Sequence, residues 1–352
     1  MKKVLKVVGI VILILILAVV LLFAVLTITE FKPDDVEEAE ISSGAESVPG
    51  SEDEITVMTW NIGYGALGDN ADFFMDGGSS VMTADAARVN ENMENIISEV
   101  DKIAPDIALF QEVDINSMRS HSIDEAELIS ASMTGTDTSF AYNYRCLFIP
   151  YPIPPIGYVN GGILTVSDYG IQEALRYQLP CPFSWPLRLG NLKRCVVVNR
   201  IELEDSDKEL VVVNLHLEAY DSGEGKVAQT NMLKEILEEE AEKGNYVIAG
   251  GDFNQSFSNV DSSMYPYYEG MWEPGIIDEE SFEGWQLIMD NSSPSCRSLD
   301  KAYEGADKDS FQYYIIDGFI VSENITVESV ETKDLGFVSS DHNPVVMKVT
   351  LD

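Results

Sequence analysis

The chain has 352 residues, with 22 Lys and Arg against 60 Asp and Glu, a formal net charge of −38. Affinity for a phosphate backbone comes mainly from Lys and Arg displacing counterions, so this balance argues against tight binding of nucleic acid, short of a local basic groove around Arg188, Lys193 and Arg194. Four cysteines, Cys146, Cys181, Cys195 and Cys296, lie without metal-ligand spacing, which argues against a structural zinc site.

Residues Val7 to Leu26 form an apolar run without charge, preceded by Lys2, Lys3 and Lys6. At about 1.5 Å per residue such a helix crosses a hydrocarbon core of roughly 30 Å. Positive charge lies before the run and acids (Glu30, Asp34, Asp35, Glu37, Glu38) follow it, so the N-terminus is expected in the cytoplasm and everything after Thr27 outside. A cleaved signal peptide is the competing reading. The length of the run and the lack of a small-x-small cleavage site favour an uncleaved, single-pass anchor in the cell membrane. Residues 1–27 are therefore expected to be a cytoplasmic stub and transmembrane anchor. Residues 28–54, acidic and poor in large apolar side chains, are expected to be a disordered, solvated tether. Residues 55–352 have the length of one large α/β domain. An external location permits disulfides, and Cys181 with Cys195 would close a short loop, but the pairing stays open.

Within the domain, Ile55 to Trp60 reads as a strand ending at Asn61. A Gly- and Asp-rich segment from Gly63 to Thr83, with Asp69, Asp72 and Asp76, is too long for a tight turn. Helical spacing runs from Asp85 to about Ile103 and stops before Pro105. A buried strand, Ile107 to Phe110, then ends at Gln111-Glu112. Further strands are expected at Gly162–Val166, Val196–Leu203, Leu210–Leu217, Tyr246–Ala249, Tyr314–Val321 and Pro344–Leu351, with a helix over Lys226–Glu242. Strands alternating with helices, then strand pairs, predict an α/β fold: two mixed sheets packed face to face with helices outside, a four-layer sandwich.

The strand ends carry Asn61, Glu112, His216, Asp252 with Asn254, Asp317, and Asp341 with His342. Such ends are where α/β enzymes place ligands and catalysts. In extended backbone Asp252 and Asn254 would point to one side with Phe253 turned away. A carboxylate and an amide so placed suit a phosphate ester held beside a divalent cation.

The ordered set Trp60-Asn61, Gln111-Glu112-Val113-Asp114, Asn214-Leu215-His216-Leu217, Gly251-Asp252-Phe253-Asn254, Ile316-Asp317 and Ser340-Asp341-His342-Asn343-Pro344 resembles the endonuclease/exonuclease/phosphatase superfamily, with its deoxyribonuclease I-like fold. The resemblance implies Mg²⁺, with Mn²⁺ as a substitute, held by Glu112 and Asp341 with Asn61 beside them. It implies that Asp317 orients His342, with His342 left open as base or as charged phosphate clamp. Asp252 is the alternative base, Asn254 polarises a phosphoryl oxygen, and His216 assists the leaving oxygen. Arg119 and Asn143 are candidate substrate contacts, whereas His121 fits no motif position and is expected at the surface. The Pro- and aromatic-rich run Phe148 to Tyr158 and the Gly63–Thr83 loop have no generic counterpart and are expected to wall the site. A touch of the Pro-rich run on lipid is weighed against a simple rigid loop. The function implied is a metal-dependent phosphoesterase, expected as a monomer, acting on a small or lipid-linked substrate. An extracellular nuclease and a catalytically silent binding module are the alternatives.

Overall fold

Most apolar runs in this chain become strands buried on both faces, so they read as continuous Val, Ile and Leu rather than as an alternation. The computed structural model describes residues 1–221 and 223–352. In chain order the strands begin β1 (Val36–Glu38), β2 (Glu40–Ser42), β3 (Ile55–Asn61), β4 (Ile107–Asp114), β5 (Asp137–Ile149) and β6 (Gly157–Ser167). Next come β7 (Glu173–Gln178), β8 (Cys195–Glu202), β9 (Glu209–His216), β10 (Tyr246–Asp252), β11 (Gln255–Phe257) and β12 (Gly275–Ile277). The last are β13 (Trp285–Ile288), β14 (Cys296–Arg297), β15 (Tyr313–Tyr314), β16 (Asp317–Ser322), β17 (Ile325–Thr332) and β18 (Val345–Leu351). The α-helices among the described residues are α1 (Lys2–Ile28), α2 (Ala86–Ile103), α3 (Glu125–Ser132) and α4 (Glu224–Glu242).

Two seven-stranded sheets form, one in the order β1-β7-β8-β9-β10-β16-β13 and the other β17-β18-β3-β4-β6-β5-β2. The parallel pairs, β3 with β4 and β9 with β10, are those joined through a helix, α2 and α4 respectively. Val57, Leu109, Val212, Ile248, Phe319 and Met347 fill the space between the sheets. On one outer face α2 lays Val89, Met93, Ile96 and Val100 over Trp60, Phe110 and Leu164. On the other, Leu233, Ile236 and Leu237 of α4 cover Val211, Val213 and Ala249. The expected four-layer α/β/β/α sandwich is the architecture observed. Helix α2 starts where it should because Asp85 caps it, accepting from the Arg88 amide at 2.9 Å.

The segment 28–54 departs from expectation. It is not a free tether: β1 pairs antiparallel with β7 and β2 antiparallel with β5, so one short segment closes an edge of each sheet. Its composition cannot sustain a core of its own, but Ala39 and Ile41 borrow the intersheet core while Glu38 and Glu40 face water. Beyond β2 the chain is pinned by the Asp137 carboxylate, which accepts from the Gly44 and Ala45 amides at 2.7 and 2.8 Å and from Ile171 at 2.8 Å.

Helix α1 is long and apolar enough to cross a membrane, with mean hydropathy 3.6. Its final turns dock on the domain: Leu26 is buried with Cys146, Ile149, Val159 and Leu189, and Phe23 lies 5.9 Å from the Trp185 ring. Trp185 donates to Thr27 Oγ1 at 3.1 Å, and Glu30 meets Arg188 and Lys193 at 3.1 and 3.4 Å. All four cysteines are free thiols, so Cys181 and Cys195 do not close a loop.

Because Asp137 is buried and serves three backbone donors, Asp137→Ala should lower unfolding free energy by about 3 kcal/mol in denaturant titrations. It should also open residues 43–54 to limited proteolysis. Resistance equal to wild type would mean that the segment is held by other contacts.

Candidate active site

The site forms where the neighbouring ends of the two sheets meet. Within one sheet, Asp252 at the end of β10 stands in register with His216 of β9 on one side and Asp317 of β16 on the other. The other sheet contributes Asn61 from the end of β3, Glu112 from β4, and the loop before β18 contributes Asp341 and His342.

Asp252 Oδ2 is the point of convergence. Asn61 Nδ2 donates to it at 3.0 Å, His216 Nε2 lies 3.4 Å away and His342 Nε2 3.9 Å away. The Asn61 amide also donates to Glu112 Oε1 at 3.2 Å, and its Oδ1 accepts from the Gly63 amide at 3.0 Å. Asn61 thus ties the two acids together across the sheet interface. His342 is held on both sides. Its Nδ1 pairs with Asp317 Oδ2 at 2.9 Å, its amide donates to Ser340 Oγ at 3.1 Å, and its carbonyl accepts from Trp60 Nε1 at 3.0 Å.

Backbone strain marks two of these positions. Glu112 has φ 55° where the β4–β6 register shifts between Phe110 and Val113, so a bulge re-aims its carboxylate. Asn254 has φ 50°, so it reaches the site through a left-handed turn rather than along extended chain. Its amide donates to Asp252 Oδ1 at 2.8 Å and its Nδ2 to the Leu217 carbonyl at 2.9 Å, while Phe253 is buried in the core as expected. Non-glycine residues in this region cost of order 1–3 kcal/mol and persist where the surroundings over-determine them.

Burial, together with the neighbouring Asp317 charge, pushes the Asp252 carboxyl up to about 7 against the opposing pull of His342 and Asn61. Asp341 is pushed up to about 6, by burial first and with Glu112 adding to it. The two histidines diverge. Burial works against the charged form of His342, but Asp317 and Cys296 outweigh it and hold His342 well above the ordinary range. Burial, with Arg194 and His342 nearby, holds His216 well below that range, hence neutral. This splitting separates a cationic from a neutral imidazole within one site.

A cavity of about 950 Å³ is lined by Glu112, His216, Asp252, Asn254, Asp341 and His342. Arg119 and Asn143 line it as well. Arg119 spends Nε and Nη2 on Asp114, both at 2.9 Å, and its guanidinium stacks 3.7 Å above the Tyr64 ring. Asn143 is buried and its Nδ2 has no hydrogen-bond partner among the described residues, nor has His216 Nδ1. The loop from Gly63 to Thr83 supplies Tyr64, Leu67, Phe73 and Asp76 to the wall, and the Pro-rich run supplies Phe148 to Tyr151 and Ile156. His121 is exposed, with Nε2 2.9 Å from the Ala84 carbonyl, away from the motif residues.

Sequence reasoning placed one contributor, Asp76, only within a loop expected to wall the site, and missed two others, Arg194 and Cys296. Half-buried Asp76 accepts from the Tyr220 hydroxyl at 3.0 Å, and burial pushes its carboxyl up to about 6. Buried Arg194 lies 3.3 Å from Glu218 Oε2 and donates to the His216 carbonyl, so it belongs to the site's floor rather than to a surface groove. Cys296 comes within 4.8 Å of ligand atoms on Asp341 and His342, a cluster that its position in the sequence conceals.

The donor set fits a hard divalent cation. Glu112, Asp341 and Asp252 offer carboxylate oxygens, and two of the three have pKa values raised by burial and by neighbouring acids, a penalty that a cation would offset. Glu112 with Asp341 would hold such an ion, and Asn61 would fix the Glu112 side chain.

The endonuclease/exonuclease/phosphatase family matches residues 58–342, and the chain belongs to that family, whose members hydrolyse phosphoester bonds. Among solved structures it is similar to an endonuclease/exonuclease/phosphatase from Beutenbergia cavernae, at 16% identity and a TM-score of 0.56, covering 85% of this chain and 72% of that one. The human Nocturnin catalytic domain with bound sulfate anion gives 17% identity and a TM-score of 0.53, over 89% of this chain and 98% of that one. A family member from Bacteroides vulgatus gives 14% and 0.54, over 86% and 100%. At these identities the likeness is one of fold. Comparison by sequence with curated proteins gives no match.

An acid whose folded pKa lies above its unfolded value, about 3.9 for Asp, stabilises the fold at low pH and loses that contribution as pH rises through the folded value. Between pH 6.5 and 8 the metal-free protein should therefore lose about 1 kcal/mol of stability as Asp252 ionises near 7. His216, neutral when folded, contributes its own slope below this window, and His342, held well above its ordinary range, adds a further loss within it. Adding Mg²⁺ at pH 8 should restore the Asp252 part of the loss, and Asp252→Asn should reduce the slope in denaturant titrations, leaving the part due to His342. An unchanged slope in that variant would remove Asp252 as its source.

Proposed function

We propose that this chain is a membrane-anchored phosphoesterase, dependent on Mg²⁺ or Mn²⁺, whose domain faces the cell exterior and hydrolyses a small or lipid-linked phosphate ester. The observation that carries the reading is Asp252 Oδ2, within 3.9 Å of nitrogens on Asn61, His216 and His342 in a cavity that Glu112 and Asp341 also line. A degenerate binding module would be expected to lack part of this set. The net charge of −38 disfavours a polyanionic substrate and hence the nuclease alternative. Docking of Leu26, Thr27 and Glu30 on the domain supports an uncleaved anchor, and Lys2, Lys3 and Lys6 support a cytoplasmic N-terminus.

A divalent cation on Glu112 and Asp341 would neutralise phosphate charge and stabilise the leaving oxygen. Ionised Asp252 takes a proton from the attacking water, whose oxygen bonds to phosphorus. The ester P–O bond opposite breaks, and the leaving oxygen takes a proton from solvent. His342, cationic and braced by Asp317, clamps a phosphoryl oxygen, so the structure favours the clamp role for it and the base role for Asp252. Neutral His216 and the amides of Asn254 and Asn143 donate to the remaining oxygens.

The full-length protein in detergent should hydrolyse bis-p-nitrophenyl phosphate with Mg²⁺ or Mn²⁺ and stop on addition of EDTA. Asp252→Asn and His342→Ala should each lower kcat/KM by about 10²–10⁴-fold. Undiminished turnover in both variants would sink the assignment, and inactivity of the wild type on phosphoesters would favour the binding module.

A further inference from the structure

The cavity that holds the catalytic groups is also lined by Phe23 and Leu26, from the last turns of α1. Between these and the acids its wall is apolar, built by Phe148, Ile149, Leu187 and Leu189. Large apolar side chains around it stand in water: Ile153 is 91% exposed, Tyr151 73%, Leu187 66% and Trp185 52%. Tyr151 and Leu187 line the cavity, Trp185 packs on the lining residue Phe23, and Ile153 falls in the chain between the lining residues Tyr151 and Ile156, so this exposure belongs to one surface rather than to scattered residues.

The neighbouring α1 identifies what covers that surface. Trp185 packs on Phe23 and donates to Thr27, and Leu189 packs on Leu26, so this rim lies at the level where the apolar helix ends. Any bilayer that α1 crosses therefore ends near Trp185 and Leu189, with Ile149, packed in the same cluster as Leu26, leading into the exposed Tyr151 and Ile153 of the Pro-rich run. Tyr and Trp are the side chains favoured at that interface. Glu30, paired with Arg188 and Lys193, fixes the helix end to the domain, so the rim cannot drift from the membrane as it would on a loose tether.

We infer that the substrate is a membrane lipid carrying a phosphate ester, whose headgroup enters the cavity from the leaflet beside α1 while its acyl chain stays against Phe23, Leu26 and the apolar wall. Drawing a lipid wholly into water exposes its chain at about 0.8 kcal/mol per methylene, and a wall continuous with the bilayer avoids that exposure. The inference rests on the phosphoesterase reading and deepens it. The competing occupant is α1 itself, the apolar surface serving only to seat the anchor.

Two measurements on the full chain separate these possibilities. For alkyl p-nitrophenyl phosphates of increasing chain length, kcat/KM should rise by up to about fourfold per added methylene. In vesicles of phosphatidylcholine, phosphatidylglycerol and sphingomyelin, the protein should hydrolyse one ester bond of the phosphodiester and release the phosphorylated headgroup, leaving the lipid alcohol in the bilayer. Ile153→Asp and Ile153→Lys, at an exposed side chain that does not line the cavity, should each cut vesicle turnover at least tenfold and leave bis-p-nitrophenyl phosphate turnover within twofold, which also certifies their folding. A flat chain-length series, no lipid turnover, or equal loss on both substrates would overturn the inference. Inactivity of the wild type on the soluble diester would instead overturn the phosphoesterase reading.

Discussion

The register of β10 between β9 and β16 is the constraint on which the rest of the site depends. It sets Asp252 directly between His216 and Asp317, in one row across the end of a sheet. A slip of one residue would turn Asp252 to the opposite face and bring Phe253 out of the core. Register is secured from outside the row as well. Ile248 is buried between the sheets and Val247 beneath α4, while Leu217 and Phe253 continue the backbone pairing just past the strand ends, at 2.9 Å each.

This row concentrates charge that burial alone would not tolerate. Asp252 and Asp317 are neighbours, and His342, brought in from the loop before β18 and lifted well above its ordinary range, offsets them. Across the interface Asp341 has His342 and the buried Arg297 near it, and Arg297 donates instead to the Ser298 and Gly68 carbonyls at 2.9 and 2.8 Å. A site with this balance is poised for a cation and a phosphate together, since each supplies what the other part of the site lacks. The strained backbones of Glu112 and Asn254 fit the same picture: both are held where the chain alone would not go.

How much of this was legible depends on where each residue sits. Asn61, Glu112, His216 and Asp252 follow apolar runs, so a break in hydrophobicity announces them, and α2 is announced by Asp85 and Pro105. Strands β1 and β2 gave no such signal, because their apolar partners, Ala39 and Ile41, are too few to suggest a core and are buried only by sheets formed elsewhere. Asp76, Tyr220 and Arg194 reach the cavity from a loop, a turn and the start of a strand, with no periodicity to point inward. The polar bridge between the sheets was equally hidden. Gln111 donates to Asn214 at 2.9 Å and Asn214 to the Leu164 carbonyl at 3.0 Å, yet in sequence each is a polar residue near the end of an apolar run.

The anchor follows the same logic on a larger scale. In sequence, Val7–Leu26 and the domain are separated by an acidic stretch that reads as slack, which would leave the orientation of the site toward a membrane free. In the fold that stretch is consumed at once: Glu30 in ion pairs, residues 36–42 in both sheets, and Gly44 and Ala45 on Asp137. With no slack left, the direction of the cavity is fixed relative to α1, and the helix that would hold the protein in a bilayer also forms part of the cavity wall through Phe23 and Leu26. The acidic segment thus acts as a brace, and its charge keeps the sheet edges soluble while its few apolar residues hold it down.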